Sequence, residues 1–376
     1  MSRRATWIDA LRLSAGVSMV GLHASSDATG QPFAAWDSVE RIGPVLFRTI
    51  VYMARTELFI VVSLFLLIMA LERRPRGYGE TVVEQARRLM VPFAFWVVFY
   101  AFFRLGKAHY FGYEDAIWAQ LADPVAWLGY FVLGDVSYHM HFLPTLFPLV
   151  FFYPLYRLAI RYPVMGLGIL LCLALKREVD VWLWSTHKDM DGFMYLIRLV
   201  KVLTYMGYGL VAGSFYGILK RNYNDKIWRK VSWTVLCIGA VLVYIKLTHA
   251  VRMIEFGDWQ FNYTPAYWAD FLMPALLFAV CMAFRNKNWP EAFTKYAPYS
   301  FGIYLVHPIF LDQFEIMTDG HGWSPTLIVA AKVAGTLTCT CVAVWLIAKT
   351  RALAWTIGMG PIPAINLRPQ GHQHSN

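Results

Sequence analysis

Residues 325–349 read PTLIVAAKVAGTLTCTCVAVWLIAK, and between Pro325 and Lys349 the only charged side chain is Lys332. A helix rises about 1.5 Å per residue, so about 20 apolar residues cross a hydrocarbon core of about 30 Å. Comparable runs occupy about 7–26, 44–71, 88–105, 141–161, 163–175, 199–219, 231–249, 268–284 and 298–314. The run 163–175 is short and begins at a turn near Arg161, Tyr162 and Pro163. The expected fold is an all-α integral membrane protein, a bundle of about ten transmembrane helices.

Composition agrees. Of 376 residues, 58% are hydrophobic and 15% are charged, against about 45–50% and about 25% in soluble domains. That leaves too little polar surface to clothe a soluble domain of this length. The 15 Trp and 21 Tyr suit the water–lipid interface, where an apolar ring and a polar tip are both satisfied.

The net charge of +10 would fit a nucleic-acid partner, but its distribution points to topology. With a cytoplasmic N-terminus, 20 of the 34 Lys and Arg fall in inner segments, among them Arg3, Arg4, Arg73, Arg74, Arg76 and Arg368. Six fall in outer segments: Arg41, Lys107, Lys176, Arg177, Lys188 and Arg252. Basic residues accumulate on the cytoplasmic side, so both termini are expected there, with the bilayer and not nucleic acid as partner. The organisation expected is one transmembrane domain over 1–350 and a cytoplasmic tail over 351–376, disordered from 361. The longest outer segments are expected at 106–140 and 176–198.

Cys172, Cys237, Cys281, Cys339 and Cys341 lie in apolar runs without metal-ligand spacing and are expected as buried thiols. No His-x3-His occurs, so no metal is expected. The first apolar run carries Asp9 and Arg12 and has no clear small-residue cleavage site, which marks a retained helix.

Ionisable groups inside a span are expensive and so are functional candidates. Arg12 and His23 are 11 residues apart, close to three turns, so both project from one face about 16 Å apart along the axis. Arg12 lies towards the inner side and suits an anionic donor. His23 lies towards the outer side, and its pKa of about 6.5 suits a general base. Asp27, four residues on, would hold the imidazole tautomer if the helix continues that far. The plain alternative is that Arg12 snorkels and His23 packs at the interface. Glu57 and Arg55 fall near the middle of the second run, with Glu57 at a depth that would let it pair with Arg12. Lys201, Lys246 and Lys332 are snorkelling candidates.

Arg12, ten intervening residues and His23 resemble the first-helix signature of the bacterial acyltransferase-3 family, and Trp7-Ile8-Asp9-Ala10-Leu11-Arg12 resembles its opening. Glu57 to Phe65, containing Ser63, is similar to its second-helix run. Arg87-Arg88-Leu89-Met90-Val91-Pro92-Phe93 resembles its Arg-rich entry to the third helix. Tyr138-His139-Met140-His141-Phe142-Leu143 looks like its His-Leu-Trp-Phe-Leu segment, and Ser300-Phe301-Gly302-Ile303-Tyr304-Leu305-Val306-His307-Pro308 like its late Ser-x-Gly-Ile-Tyr-Leu-x-His-Pro run. The likeness spans about 7–350. Leu64 stands where the family has Gly, His141 where it has Trp, and Gln85 at the first position of its Arg-x-x-Arg, with Arg87 as the candidate substitute.

The resemblance implies an inner-membrane O-acyltransferase of a bacterium. Acyl-coenzyme A would be a co-substrate, with no permanently bound cofactor and with acetyl or succinyl the expected groups. Arg12, Arg87 and Arg88 would hold the donor phosphates, and His23 with Asp27 would activate a sugar hydroxyl of a periplasmic or cell-surface glycan. His139, His141, Glu57, Ser63, Tyr304 and His307 would support the acceptor side. A transporter or flippase for a lipid-linked glycan or amphiphile is the alternative. It would favour Gly/Pro-broken helices meeting at the midplane, of which Pro92, Pro144 and Pro148 give little sign. A non-catalytic scaffold would tolerate neutral changes at Arg12 and His23.

Overall fold

A computed structural model describes residues 6–221, 225–260 and 264–362. Arg3, Arg4 and Arg368 of the charge tally, and most of the tail, lie outside these residues. The chain is helical throughout its described elements. α1 (Thr6–Ala24) is followed by α2 (Ser38–Val51), a 3-10 turn, and α3 (Thr56–Arg73). α4 (Tyr78–Phe111) leads into two short helices, α5 (Glu114–Ala122) and α6 (Pro124–Val132). Then come α7 (Phe142–Val150), α8 (Tyr153–Arg161), α9 (Gly168–Thr186), α10 (Phe193–Lys220), α11 (Asp225–Phe256) and α12 (Thr264–Ala283). The last are α13 (Ala292–Tyr296), α14 (Ser300–Thr318) and α15 (Pro325–Lys349).

Among the described residues, six spans are long and apolar enough to cross a membrane, and seven if the bent pair α7–α8 counts as one. The expected ten reduces to this set for physical reasons. α1 carries Asp9, Arg12 and His23, and α14 carries His307, Asp312 and Glu315, so both are too polar to qualify alone. The run 163–175 becomes a 3-10 turn and α9, whose middle holds Lys176, Arg177, Glu178 and Asp180. The run 141–161 is broken between α7 and α8 by a 64° bend. Pro154 has no N–H to give the Val150 carbonyl, which ends α7 there. The expected outer segment 106–140 is largely ordered as the end of α4 with α5 and α6, and that of 176–198 as the second half of α9.

The polar helix α1 sits inside the bundle, touching α2, α3, α12, α14 and α15. Twelve of its 19 residues are buried. A helix with this polar load is stable in an apolar environment only if other helices cover it.

α10 packs close against α8 along Gly209, Gly213 and Gly217. A Cβ on Gly213 would stand 2.2 Å from the Tyr156 carbonyl oxygen, and one on Gly217 2.4 Å from that of Ile160. Small residues spaced by four let helix backbones approach where no hydrophobic effect drives association. Cys172 is buried, but Cys237 and Cys341 are exposed on the outward faces of α11 and α15, which corrects the expectation for those two thiols.

Gly213→Ala should destabilise the protein by about 1–3 kcal/mol, since backbone must shift to admit the methyl. Gly106→Ala, where nothing lies within 4 Å of the added Cβ, should be neutral or slightly stabilising. Unfolding in detergent with a denaturant titration compares the two. Equal effects would show that the α8–α10 contact is loose.

Candidate active site

A cavity of about 540 Å³ begins among arginines at one end of the bundle. Arg12 of α1, Arg73 of α3, Arg74 and Arg76 beyond it, and Arg88 of α4 line it. It extends past Ser63 to Phe59, Phe142 and Tyr304. From Arg73 to Phe59 is 14 residues of α3, about 21 Å along the axis. Arg12 lies 3.7 Å from Asp9, and Arg76 is ion-paired with Glu84.

Arg87 is exposed and is not among the lining residues, whereas Gln85 and Arg88 are. The helical turn decides this: Gln85 and Arg88, three apart on α4, share the face that Arg87 does not. Arg87 thus does not line the cavity that position 85 faces. Sequence reasoning passed over Arg73, Arg74 and Arg76 as a site, counting them only as inner-side charge. The signal was their close spacing at the end of an apolar run.

The inner end of the cavity is aromatic. Phe59, Phe142 and Tyr304 pack with ring centroids 5.4–6.0 Å apart. The far side of Tyr304 faces three histidines. Its hydroxyl donates to the His139 carbonyl, and its ring lies 5.4 Å from that of His139 and 6.4 Å from that of His307. His307 in turn stacks on His23, centroids 5.7 Å apart at 18°, and lies 5.3 Å from His139. The Tyr138 ring covers His23 at 4.3 Å; the sequence reading quoted this residue without giving it a role. The Nε2 atoms of His23, His139 and His307 are all buried with no hydrogen-bond partner among the described residues.

The local sequence sets the chemistry of His307. Pro308 has no N–H, so the Tyr304 carbonyl loses its helical partner four residues on. His307 Nδ1 takes that position at 2.8 Å. A carbonyl can only accept, so Nδ1 carries the proton, and in the neutral ring Nε2 is left as a base. For His139, Nδ1 lies 3.1 Å from the Ser137 hydroxyl.

Three candidates stand elsewhere. α1 ends at Ala24, and Asp27 lies in the loop beyond it. Its Oδ1 accepts from Thr29 N at 2.9 Å, Thr29 Oγ1 at 2.7 Å and Gln31 N at 2.9 Å. The carboxylate caps the loop instead of holding His23. His141 Nδ1 donates to the Tyr138 carbonyl at 2.9 Å, and its own carbonyl accepts from Arg198 at 2.6 Å. Glu57, 1% exposed, binds Arg55 at 2.6 Å and the Tyr205 hydroxyl at 2.5 Å. The expected pairing of Glu57 with Arg12 fails because a break at Arg55 puts Glu57 at the start of α3, at the opposite end from Arg73 and the arginine mouth.

A network of charges closes the histidine end. Lys107 binds Asp312 at 3.1 Å and also Glu315, and Lys332 binds Glu315 at 3.0 Å and the Ser26 carbonyl at 2.8 Å. Lys332, 1% exposed, and Lys246, bound to Asp270, are held by carboxylates and do not snorkel.

A family profile described as "Acyltransferase domain" (Acyl_transf_3) matches residues 5–345. Comparison with curated proteins and with solved structures gives no match.

Pro308→Ala would return an N–H to the Tyr304 carbonyl and release His307 Nδ1. With ¹⁵N-labelled histidine, the native protein should show His307 as the single Nδ1–H tautomer and the variant a mixture. An Nε2–H tautomer in the native protein would contradict this assignment.

Proposed function

The chain belongs to the acyltransferase-3 family, a multi-pass membrane acyltransferase, and we propose that it transfers a short acyl group from acyl-coenzyme A to a sugar hydroxyl of a periplasmic or cell-surface glycan. The observation that carries this reading is the single cavity that begins among five arginines and ends on Tyr304, against the histidine cluster. Guanidinium groups bind phosphate oxygens in a bidentate way, so Arg12, Arg73, Arg74, Arg76 and Arg88 suit the nucleotide phosphates. We take that end as cytoplasmic, with both termini on the same side and the histidines towards the periplasm of the inner membrane.

The donor's thioester arm follows the cavity past Ser63 towards Tyr304. The acyl group would lie against the three rings, and acetyl or succinyl is the group we propose. His23 is the general base. Its Nε2 takes the proton of the acceptor hydroxyl as the oxygen attacks the thioester carbon. The new C–O bond forms, the C–S bond breaks, and the imidazolium returns the proton to the departing thiolate. His307, stacked on His23 with its own Nε2 unprotonated, positions that ring. Tyr304, through the His139 carbonyl, fixes the third imidazole. His23 needs no carboxylate from Asp27 in this arrangement.

Acyl-coenzyme A turnover by the purified protein tests the roles. His23→Ala should lower turnover by about 10²–10⁴-fold, with donor affinity unchanged. Unaltered turnover would remove His23 as the base.

The two neighbouring arginines separate binding from general positive charge. Arg88→Gln should weaken coenzyme A binding by about tenfold, the loss of one charge-assisted contact, whereas Arg87→Gln should change it by less than about twofold. Equal losses in calorimetric titration would show that bulk charge, not the cavity, holds the donor.

A further inference from the structure

A second cavity, of about 240 Å³, lies beside the histidine end, between α2, α11 and α12. We propose that it is an acceptor subsite selective for a sugar that carries an anionic group. The inference rests on the acyltransfer reading above and names the substrate class for it.

Its lining combines two chemistries that a charged sugar needs together. Tyr52, Trp259, Tyr267 and Phe271 supply aromatic surface, against which the C–H face of a pyranose ring packs and which water solvates poorly, with cations already over the Tyr52, Trp259 and Phe271 rings. Arg48, Arg55 and Lys246 supply three cations, against one carboxylate in the lining, Asp270. Lys246 is bound to Asp270, and Arg55 is paired with Glu57 at 2.6 Å.

Arg48 is the cation without a direct ion pair. Among the described residues no carboxylate lies within 4.0 Å of it, and Asp270, the carboxylate whose field it feels, is bound to Lys246. Its Nη1 donates to the Leu22 carbonyl at 2.7 Å and lies 3.4 Å from the Ser25 hydroxyl. Those contacts engage only Nη1, so Nε–H and the Nη2 protons remain as donors. The guanidinium carbon lies over the Trp259 ring, 4.1 Å from its centroid. Trp259 is itself fixed by its Nε1–H to the Gly30 carbonyl at 2.6 Å. A rigid guanidinium with spare donors is suited to a carboxylate or phosphate.

The position joins this site to the chemistry. The carbonyl that Arg48 holds belongs to Leu22, the residue before His23. An anionic group on Arg48 would therefore lie beside the end of α1 from which the base projects. A second hydroxyl of the same sugar, or one on the next residue of a chain, is then within reach of the imidazole.

The test measures binding without any acyl donor. Intrinsic tryptophan fluorescence of the purified protein is titrated with methyl glucuronide, glucose 1-phosphate and methyl glucoside, with Trp259→Phe to assign the signal. The anionic sugars should bind at least about tenfold tighter than the neutral one. Arg48→Gln should abolish that preference, and Arg48→Lys should restore part of it. Should Arg48→Gln unfold, the preference of the native protein between glucuronide and glucoside still decides.

Equal affinity for all three sugars would overturn the proposal. So would inorganic phosphate binding as tightly as glucose 1-phosphate, which would mark an ion site, or loss of the fluorescence response in phosphatidylglycerol nanodiscs alone, which would mark a lipid headgroup site. Selective glucuronide binding without acyl-coenzyme A turnover would overturn the acyltransfer reading and leave the subsite standing. Turnover without glucuronide preference would overturn the subsite alone.

Discussion

A charged group placed in an apolar bundle has to find its counter-charge there, and this constraint arranges most of the protein. Removing an ion from water costs several kcal/mol even after relaxation, and a pair with good geometry offsets it. Lys332 illustrates the rule: it is 1% exposed and meets both Glu315 and the Ser26 carbonyl. The same pairing fixes Lys107 against α14 and Arg55 against Glu57. The Lys107 and Lys332 pairs tie helices to one another, and Glu57, paired locally with Arg55, reaches α10 through the Tyr205 hydroxyl. Together they hold α4, α14 and α15 and the Ser26 carbonyl beyond α1 around the histidines, while Lys246 and Asp270 join α11 to α12 at the second cavity. At the arginine end five guanidiniums surround one cavity, and among the described residues Arg12 lies near Asp9 and Arg76 is paired with Glu84.

Charge excess and charge balance thus divide the molecule functionally. The excess at the arginine mouth calls for an anionic ligand. The balanced network at the opposite end holds three imidazoles in a neutral setting, with ring separations of 5.3–5.7 Å along the chain His139–His307–His23. Pro308 contributes by what it lacks: the missing N–H frees the carbonyl that selects the His307 tautomer.

Much of this was legible in one dimension. The 11-residue interval from Arg12 to His23 is a property of a regular helix, so both ends of α1 could be placed from period and rise alone. The apolar runs marked the long helices, and the His307-Pro308 pair marked a position on α14. Legibility ended wherever the chain bends. The break at Arg55 moved Glu57 from mid-helix to a helix start, which exchanged Arg12 for Arg55 and Tyr205 as its partners. The end of α1 at Ala24 removed Asp27 from the imidazole. Arg87 and Arg88 differ only in which face of α4 they occupy, and no composition separates neighbours. The close approach of α10 to α8 rests on Gly209, Gly213 and Gly217, whose spacing alone does not say which helix lies opposite.

The ring triad of Phe59, Phe142 and Tyr304 bears on bioenergetics. On the reading proposed above, an acyl group passes from one face of the bilayer to the other, and a continuous wet route for it would short-circuit the ion gradient that the membrane sustains. Driving one elementary charge through 100 mV is worth about 2.3 kcal/mol, so even a narrow file of water beside three imidazoles would run down the proton-motive force. Phe59, Phe142 and Tyr304 stand at the boundary between the arginine cavity and the histidines, where such a file would have to pass. On the proposed reading, an acyl group enters by displacing rings, whereas a hydrated proton would pay the cost of leaving water to follow it.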